Sequence, residues 1–237
     1  MSVNILVTGS SRGIGAACVT ALTASGARVI GHAMRAASDT IAVDLAEPGA
    51  GDRLWAAALD RLDGRIDVLV NNAGVFEGVA LDSPDWGHVW ERSWRINLQA
   101  AADLCRNAVL HFGDVRAGGL GGRIVNVASR AAYRGDSPDH WHYAAAKAGM
   151  VGMTKSIARG YAARGVLAFS VAPGFVMTGM AEEYLSSRGG DKLLSDIPLG
   201  RVATPEEVAE TVRWLALDAP PSLTGACLDV NGASYVR

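Results

Sequence analysis

Tyr143 and Lys147 stand four residues apart in Tyr143-Ala144-Ala145-Ala146-Lys147, a spacing that puts a phenol and an ammonium on one helix face, one turn from each other. A free phenol titrates at about 10, too high for an efficient base near neutrality, and a nearby cation favours its ionised form. The pair therefore suits proton transfer to or from an oxygen. Alone, this spacing also occurs on ordinary surface helices. Ser129 adds to it, because it follows the apolar run Arg123 to Ala128 and precedes Tyr143 by fourteen residues. A strand end and a helix start can then bring the two hydroxyls together. Asn97 lies inside a long helical pattern, where asparagine is locally unfavourable.

A second constellation opens the chain. Thr8-Gly9-Ser10-Ser11-Arg12-Gly13-Ile14-Gly15 follows a short apolar run and leads into a helical stretch. Glycines there permit a tight turn and close approach of the backbone to a pyrophosphate, and the helix N-terminus supplies amide donors. Turn-making alone explains each glycine, but not the placement between an initial strand and a helix.

The elements that must position these groups alternate between short β-branched runs and longer helical stretches, the pattern of parallel βαβ units. Strands are expected at Asn4–Val7, Arg28–Gly31, Thr40–Val43, Ile66–Val70, Arg123–Val127, Val166–Val171 and Ala226–Val230. Helices are expected near 14–25, 52–62, 86–109, 142–163 and 205–217, the last opened by the capping box Thr204-Pro205-Glu206-Glu207. Ala33 to Asp39 is too short for an ordinary crossover helix. The expectation is an α/β fold, a single doubly wound Rossmann-type domain over 1–237, with a seven-stranded parallel sheet, helices on both faces and the second crossover helix missing. Its cofactor half is about 1–120, and its substrate-side elements are about 129–142 and 175–200.

Composition limits the function classes. The net charge of -2 offers no basic field for nucleic acid, and the apolar runs are far too short to span a bilayer. The opening Met1-Ser2-Val3-Asn4 resembles no secretory leader. Cys18, Cys105 and Cys227 have no paired ligand spacing, which argues against a disulfide framework or structural zinc and fits a reducing, cytoplasmic setting. His140 and His142 lack a third ligand at suitable spacing, so no catalytic metal is expected.

The T-G-x-x-x-G-x-G turn resembles the short-chain dehydrogenase/reductase family, and the resemblance runs through nearly the whole chain. Asn71-Asn72-Ala73-Gly74 matches the tetrapeptide that the family carries beside the cofactor riboses. Pro173-Gly174-Phe175-Val176-Met177-Thr178 looks like its P-G-x-x-x-T segment at the nicotinamide carboxamide. Asn97, Ser129, Tyr143 and Lys147 match its catalytic tetrad. The resemblance implies that Ser129 binds the substrate oxygen and that Tyr143 exchanges a proton with it. Lys147 would lower the Tyr143 pKa and hold the nicotinamide ribose, while the Asn97 backbone would hold a water.

The cofactor set implied in this way is Gly9, Ser11, Arg12, Gly13, Ile14, Gly15, Arg35, Asp44, Leu45, Asn71, Ala73, Gly74, Tyr143, Lys147, Pro173, Gly174, Val176 and Thr178. NAD-preferring relatives place an acid after the second strand, where this chain has Gly31-His32-Ala33-Met34-Arg35. Arg12 and Arg35 could form a phosphate fork, which favours NADP(H) over NAD(H). Two solvated rim arginines are the other reading.

The pattern is closest to the 3-oxoacyl-[acyl-carrier-protein] reductase-like members. The expectation is an NAD(P)(H)-dependent oxidoreductase acting on a ketone or secondary alcohol, with an acyl thioester or other small carbonyl substrate. A sugar or polyol dehydrogenase and a non-catalytic dinucleotide sensor are the alternatives. Segment 179–200 corresponds to the family's variable substrate lid. Trp86, Trp90 and Trp94 recur at helical spacing, which core packing explains by default. The family's pairing of this helix and the Tyr143 helix across a twofold axis implies a homodimer or homotetramer. The ending Asn231-Gly232-Ala233 departs from the family's frequent D-G-G.

Overall fold

A computed structural model describes residues 2–35, 40–113, 121–177 and 194–237. Seven parallel strands form one sheet in the order β3-β2-β1-β4-β5-β6-β7. They are β1 (Asn4–Val7), β2 (Arg28–Ala33), β3 (Thr40–Ala42), β4 (Val68–Asn71), β5 (Gly122–Val127), β6 (Val166–Pro173) and β7 (Cys227–Val230). The helices are α1 (Gly13–Ala24), α2 (Ala50–Arg61), α3 (Trp86–Trp94), α4 (Ala100–Phe112), α5 (Ala131–Arg134), α6 (Trp141–Tyr161) and α7 (Pro205–Leu217). A π-helical turn, Arg95–Gln99, joins α3 to α4.

Strand residues alternate between two cores. Ile5, Val7, Val68 and Val70 pack beneath α1 and α7. Leu6, Leu69, Ile124 and Ala168 pack beneath α2, α4 and α6. Burial on both faces explains why the strands read as continuous apolar runs. No helix intervenes between β2 and β3 among the described residues. The register shows why none is needed: Gly31 pairs with Thr40 and Ala33 with Ala42, so the chain backs up by only a few residues before it re-enters the sheet.

The sheet order reverses between β1 and β4, where a crevice opens beyond the strands' carboxyl ends. The Gly9 turn, the residues after β4, Ser129 and the end of β6 all lie there. The capping box of α7 is formed as expected, with Glu207 N–H donating to Thr204 Oγ1 at 3.2 Å and Thr204 N–H to Glu207 Oε2 at 2.8 Å. Thr178 and most of the lid segment lie outside the described residues. The tryptophan stripe differs from expectation: Trp86 and Trp90 stack at 5.2 Å and are only half-buried, while Trp94 is 41% exposed. None of the three belongs to the core.

Candidate active site

A cleft of about 1010 Å³ is lined on one side by Ile14, Asn72, Gly74 and Phe76, and on the other by Ser129, Arg130, Tyr143, Lys147 and Pro173 to Val176. Its floor is built by locking β1 to β4. The Thr8 hydroxyl accepts from the amides of Asn72 and Ala73, each at 2.9 Å. Asn72 Nδ2 donates back to the carbonyls of Thr8 and Gly9 at 3.0 Å. Gly9 has a φ of +65°, and a Cβ there would stand 2.7 Å from Ala73 Cα, so only glycine serves.

The first turn of α1 fits a phosphate. Arg12 occupies the N-cap without a side-chain cap, and no acid lies in the first turn. The amides of Gly13, Ile14 and Gly15 therefore face outward uncapped, beside the positive end of the helix. Gly9 N–H and Ser10 N–H point elsewhere: they donate to His32 Nδ1 at 3.2 Å and to His32 O at 2.9 Å. His32 Nε2 meets Val43 O at 2.9 Å, so the imidazole is the neutral Nε2–H tautomer. Burial pushes its pKa down. This buried clamp, which ties the glycine turn to β2 and the end of β3, was not foreseen. A histidine at the end of a strand beside the turn was its only signal in the sequence.

Ser11, Arg12 and Arg35 are exposed around the turn and the end of β2. Asp44 is exposed after β3, where its Oδ1 accepts from Ala46 N–H at 2.9 Å. Two of the expected cofactor residues turn their side chains into the interior. Leu45 is 6% exposed and belongs to the core, which leaves only its main chain for a cofactor. Asn71 is 2% exposed, and its Nδ2 donates to Asn126 Oδ1 at 2.9 Å and to Cys105 Sγ at 3.3 Å. Strand alternation is the reason: Asn71 shares the face of Leu69 and sits opposite Asn126 in the register. Asn72 is the asparagine that lines the cleft.

The catalytic candidates converge. Ser129 and Tyr143 line the same cleft, the Ser129 hydroxyl close enough to the phenol to lower its pKa, and Ser129 Oγ accepts from Ala131 N–H at 3.1 Å. Lys147, 3% exposed, donates from Nζ to Val127 O at 2.8 Å and lies 5.8 Å from the centroid of the Tyr143 ring. Burial pushes the Tyr143 phenol up to about 12 while the Ser129 hydroxyl pulls it down, and burial brings the Lys147 ammonium down to about 8. Desolvation is thus the largest influence on both groups.

Asn97 is fully buried within the π turn. Its Oδ1 accepts from Val75 N–H at 2.8 Å, and its Nδ2 donates to Val75 O at 3.0 Å and Ser93 Oγ at 2.9 Å. A Cβ on Gly74 would stand 2.8 Å from Asn97 Oδ1 and 3.6 Å from Lys147 Nζ, so Asn97 braces the strand-end loop against which Lys147 rests. Phe76 stacks on His140 at 3.9 Å and meets Tyr143 edge-on at 4.9 Å, forming an aromatic wall over the phenol. His142 turns away, its Nε2 on Glu77 O at 2.8 Å.

A family model described as enoyl-(acyl carrier protein) reductase, of the short-chain dehydrogenase/reductase type, matches residues 9–233. The chain belongs to the short-chain dehydrogenase/reductase family. It is 38% identical to a 3-oxoacyl-[acyl-carrier-protein] reductase of Synechocystis, over 96% of this chain and 94% of that protein. It is 34% identical to the enzyme of that name from Haemophilus influenzae, over 98% and 97%. Among solved structures, a putative 2-deoxy-D-gluconate 3-dehydrogenase of Agrobacterium tumefaciens with bound NADP superposes with a TM-score of 0.86, at 29% identity, covering 99% of this chain and 97% of that one. Family membership makes this short-chain dehydrogenase/reductase an NAD(P)-dependent oxidoreductase of the ketone and alcohol level. No helix among the described residues is long and apolar enough to cross a membrane.

Proposed function

We propose that this family member reduces a ketone to a secondary alcohol with NADPH, and that Ser129, Tyr143 and Lys147 carry the chemistry. The convergence of Ser129, Tyr143 and Lys147 on a cleft that also receives the uncapped end of α1 is the observation that carries this reading. The dinucleotide would lie along Gly9 to Gly15, Asn72 to Gly74 and Pro173 to Val176, with Arg12 and Arg35 beside its adenosine end. When bound there, the nicotinamide supplies the hydride.

The residues do the rest. Ser129 donates a hydrogen bond to the carbonyl oxygen and holds it near the phenol. Tyr143, which keeps its proton at neutral pH, gives that proton as the oxygen gains charge; one hydride and one proton complete the reduction. Lys147 places a buried positive charge behind the phenol, and Asn97 acts through Val75 and Gly74 as a positioning residue. Arg12 and Arg35 favour NADPH, because no carboxylate after β2 repels a 2′-phosphate. The relatives' names suggest a 3-oxoacyl thioester as substrate, and the presence of Arg130 and Arg134 in the cleft favours a second reading, a sugar acid or similar hydroxy acid. Three free cysteines fit a cytoplasmic setting, and the exposed tryptophans fit a homodimer or homotetramer.

The test is oxidation of NADPH and, separately, NADH against a ketone panel that includes an acetoacetyl thioester. Tyr143→Phe should lower turnover by roughly 10²–10⁴-fold while cofactor binding persists. Ordinary turnover in that variant refutes the assignment.

A further inference from the structure

Building on the reading that this cleft reduces a ketone, we propose that its substrate carries a carboxylate close to the reacting carbonyl, and that the Arg130 guanidinium receives it. Arg130 follows Ser129 directly in the chain, and its backbone N–H donates to Pro173 O at 2.9 Å. The main chain at Arg130 is thereby anchored between the strand-end serine and the end of β6. Arg130 is 8% exposed, lines the cleft, and lies with its guanidinium over the Phe175 ring at 4.7 Å. Its Nη1 is buried and has no hydrogen-bond partner.

Asp196 does not supply that partner. It stands 3.6 Å from Arg130 Nη1, and its Oδ2 accepts its hydrogen bond from Arg134 Nη1, at 2.7 Å. Two guanidinium groups thus share one half-exposed carboxylate, and Asp136 acts on Arg130 only through space. Arginine cannot shed its charge, and a buried guanidinium nitrogen without a hydrogen bond, its charge met only by a shared carboxylate at 3.6 Å, is costly. An oxyanion arriving in the cleft removes that cost. Phe175 lies against the guanidinium and Nη1 has no partner, and a planar guanidinium suits recognition of a carboxylate that enters beside it.

The position sets the chemistry of the substrate. Arg130 and Ser129 are chain neighbours lining one cleft with Tyr143, so an anion held there would lie a few bonds from the carbonyl that Ser129 holds. A free oxo acid or hydroxy acid has a charge at that distance. An acyl thioester is uncharged on both sides of its ketone.

The experiment compares kcat/KM with NADPH for acetoacetate and 4-oxopentanoate, for their methyl esters and for an acetoacetyl thioester, in wild type, Arg130→Met and Arg130→Lys. Calorimetric binding of 4-oxopentanoate to the NADP⁺-loaded protein and a melting curve accompany each variant. The acid-to-ester ratio should be roughly 10- to 100-fold in wild type, the range of a hydrogen bond to a charged group. It should collapse toward one in Arg130→Met and recover in part in Arg130→Lys, which restores charge without the planar fork. Carboxylate binding should be lost in Arg130→Met. A flat ratio in wild type, or a ratio that survives Arg130→Met, overturns the proposal. So does an equal fall for acid and ester together with a lower melting temperature, since Arg130 would then only brace the Asp196 segment. Turnover of esters or thioester with a flat ratio leaves the ketone-reductase reading standing. If no ketone is turned over, that parent reading falls, and the calorimetry decides the carboxylate site by itself.

Discussion

A phenol pushed up to about 12 and an ammonium brought down to about 8 give the site a pH range with one near limit. Tyr143 holds its proton throughout the neutral range, which suits a donor. Lys147 has a folded pKa below its ordinary value, so its charge is present at low pH and is lost as pH rises through about 8. The rate of NADPH-dependent reduction should therefore fall on the alkaline side with an apparent pKa near 8. Arginine does not titrate in this range, so the residual activity of Lys147→Arg should lack that limb. An unchanged limb in the variant would assign it to another group. The same depression has a stability consequence: between the folded value and the ordinary one near 10.5 the unfolded chain binds more protons, so this lysine's contribution rises with pH across that window. Tyr143, Lys147 and Ser129 were legible because helical spacing and a strand end suffice to bring them together. For Asn71 the motif was legible but the direction of the side chain was not, because its face is set by strand alternation: Asn71 and Leu69 point to the same core, leaving the Asn71 main chain for a cofactor, and Asn72 turns to the cleft.

At the scale of elements, the cleft depends on how tightly β1 and β4 are joined. The Thr8 hydroxyl accepts from two consecutive amides, those of Asn72 and Ala73. Thr8→Val keeps the shape and removes the acceptor, leaving both donors without their partner. Each such loss costs about 1–3 kcal/mol. The variant should melt at a lower temperature and bind NADPH more weakly, and calorimetry on the same sample measures both. A melting temperature equal to that of wild type would show that water replaces the hydroxyl. The π turn at Arg95–Gln99 is the least legible element of the chain. The expected helix near 86–109 covers it, but an apolar periodicity does not reveal a single wide turn. Interior Asn97 was its one sign, and the reason is now physical: both ends of its amide are spent on Val75 across the cleft floor. The missing crossover helix was legible from length alone, since six residues between strands leave no room for one.

At the scale of the whole molecule, the surface over α3 and α6 is unfinished. Trp94 is 41% exposed and Trp141 52% exposed, and the two helices are tied together where Trp90 meets His142 at 6.3 Å. Two large apolar rings on adjoining helices are costly to leave in water, and a twofold axis through such a face would make every contact there occur twice. The stripe of tryptophans was visible in the sequence, but its period alone cannot say whether it faces the chain's own core or another copy. That the core fills with Leu, Ile, Val and Phe without these rings decides against the former. Sedimentation at micromolar protein should give two or four times the chain mass of 24.7 kDa. Trp94→Glu should shift the mass toward one chain, since it would put a charge into the face proposed to pair. Because assembly stabilises only the folded state, the wild-type melting temperature should also rise with protein concentration, and that dependence should weaken in the variant. A wild-type protein that sediments as a single chain at these concentrations would remove the interface and leave the exposed tryptophans to some other contact.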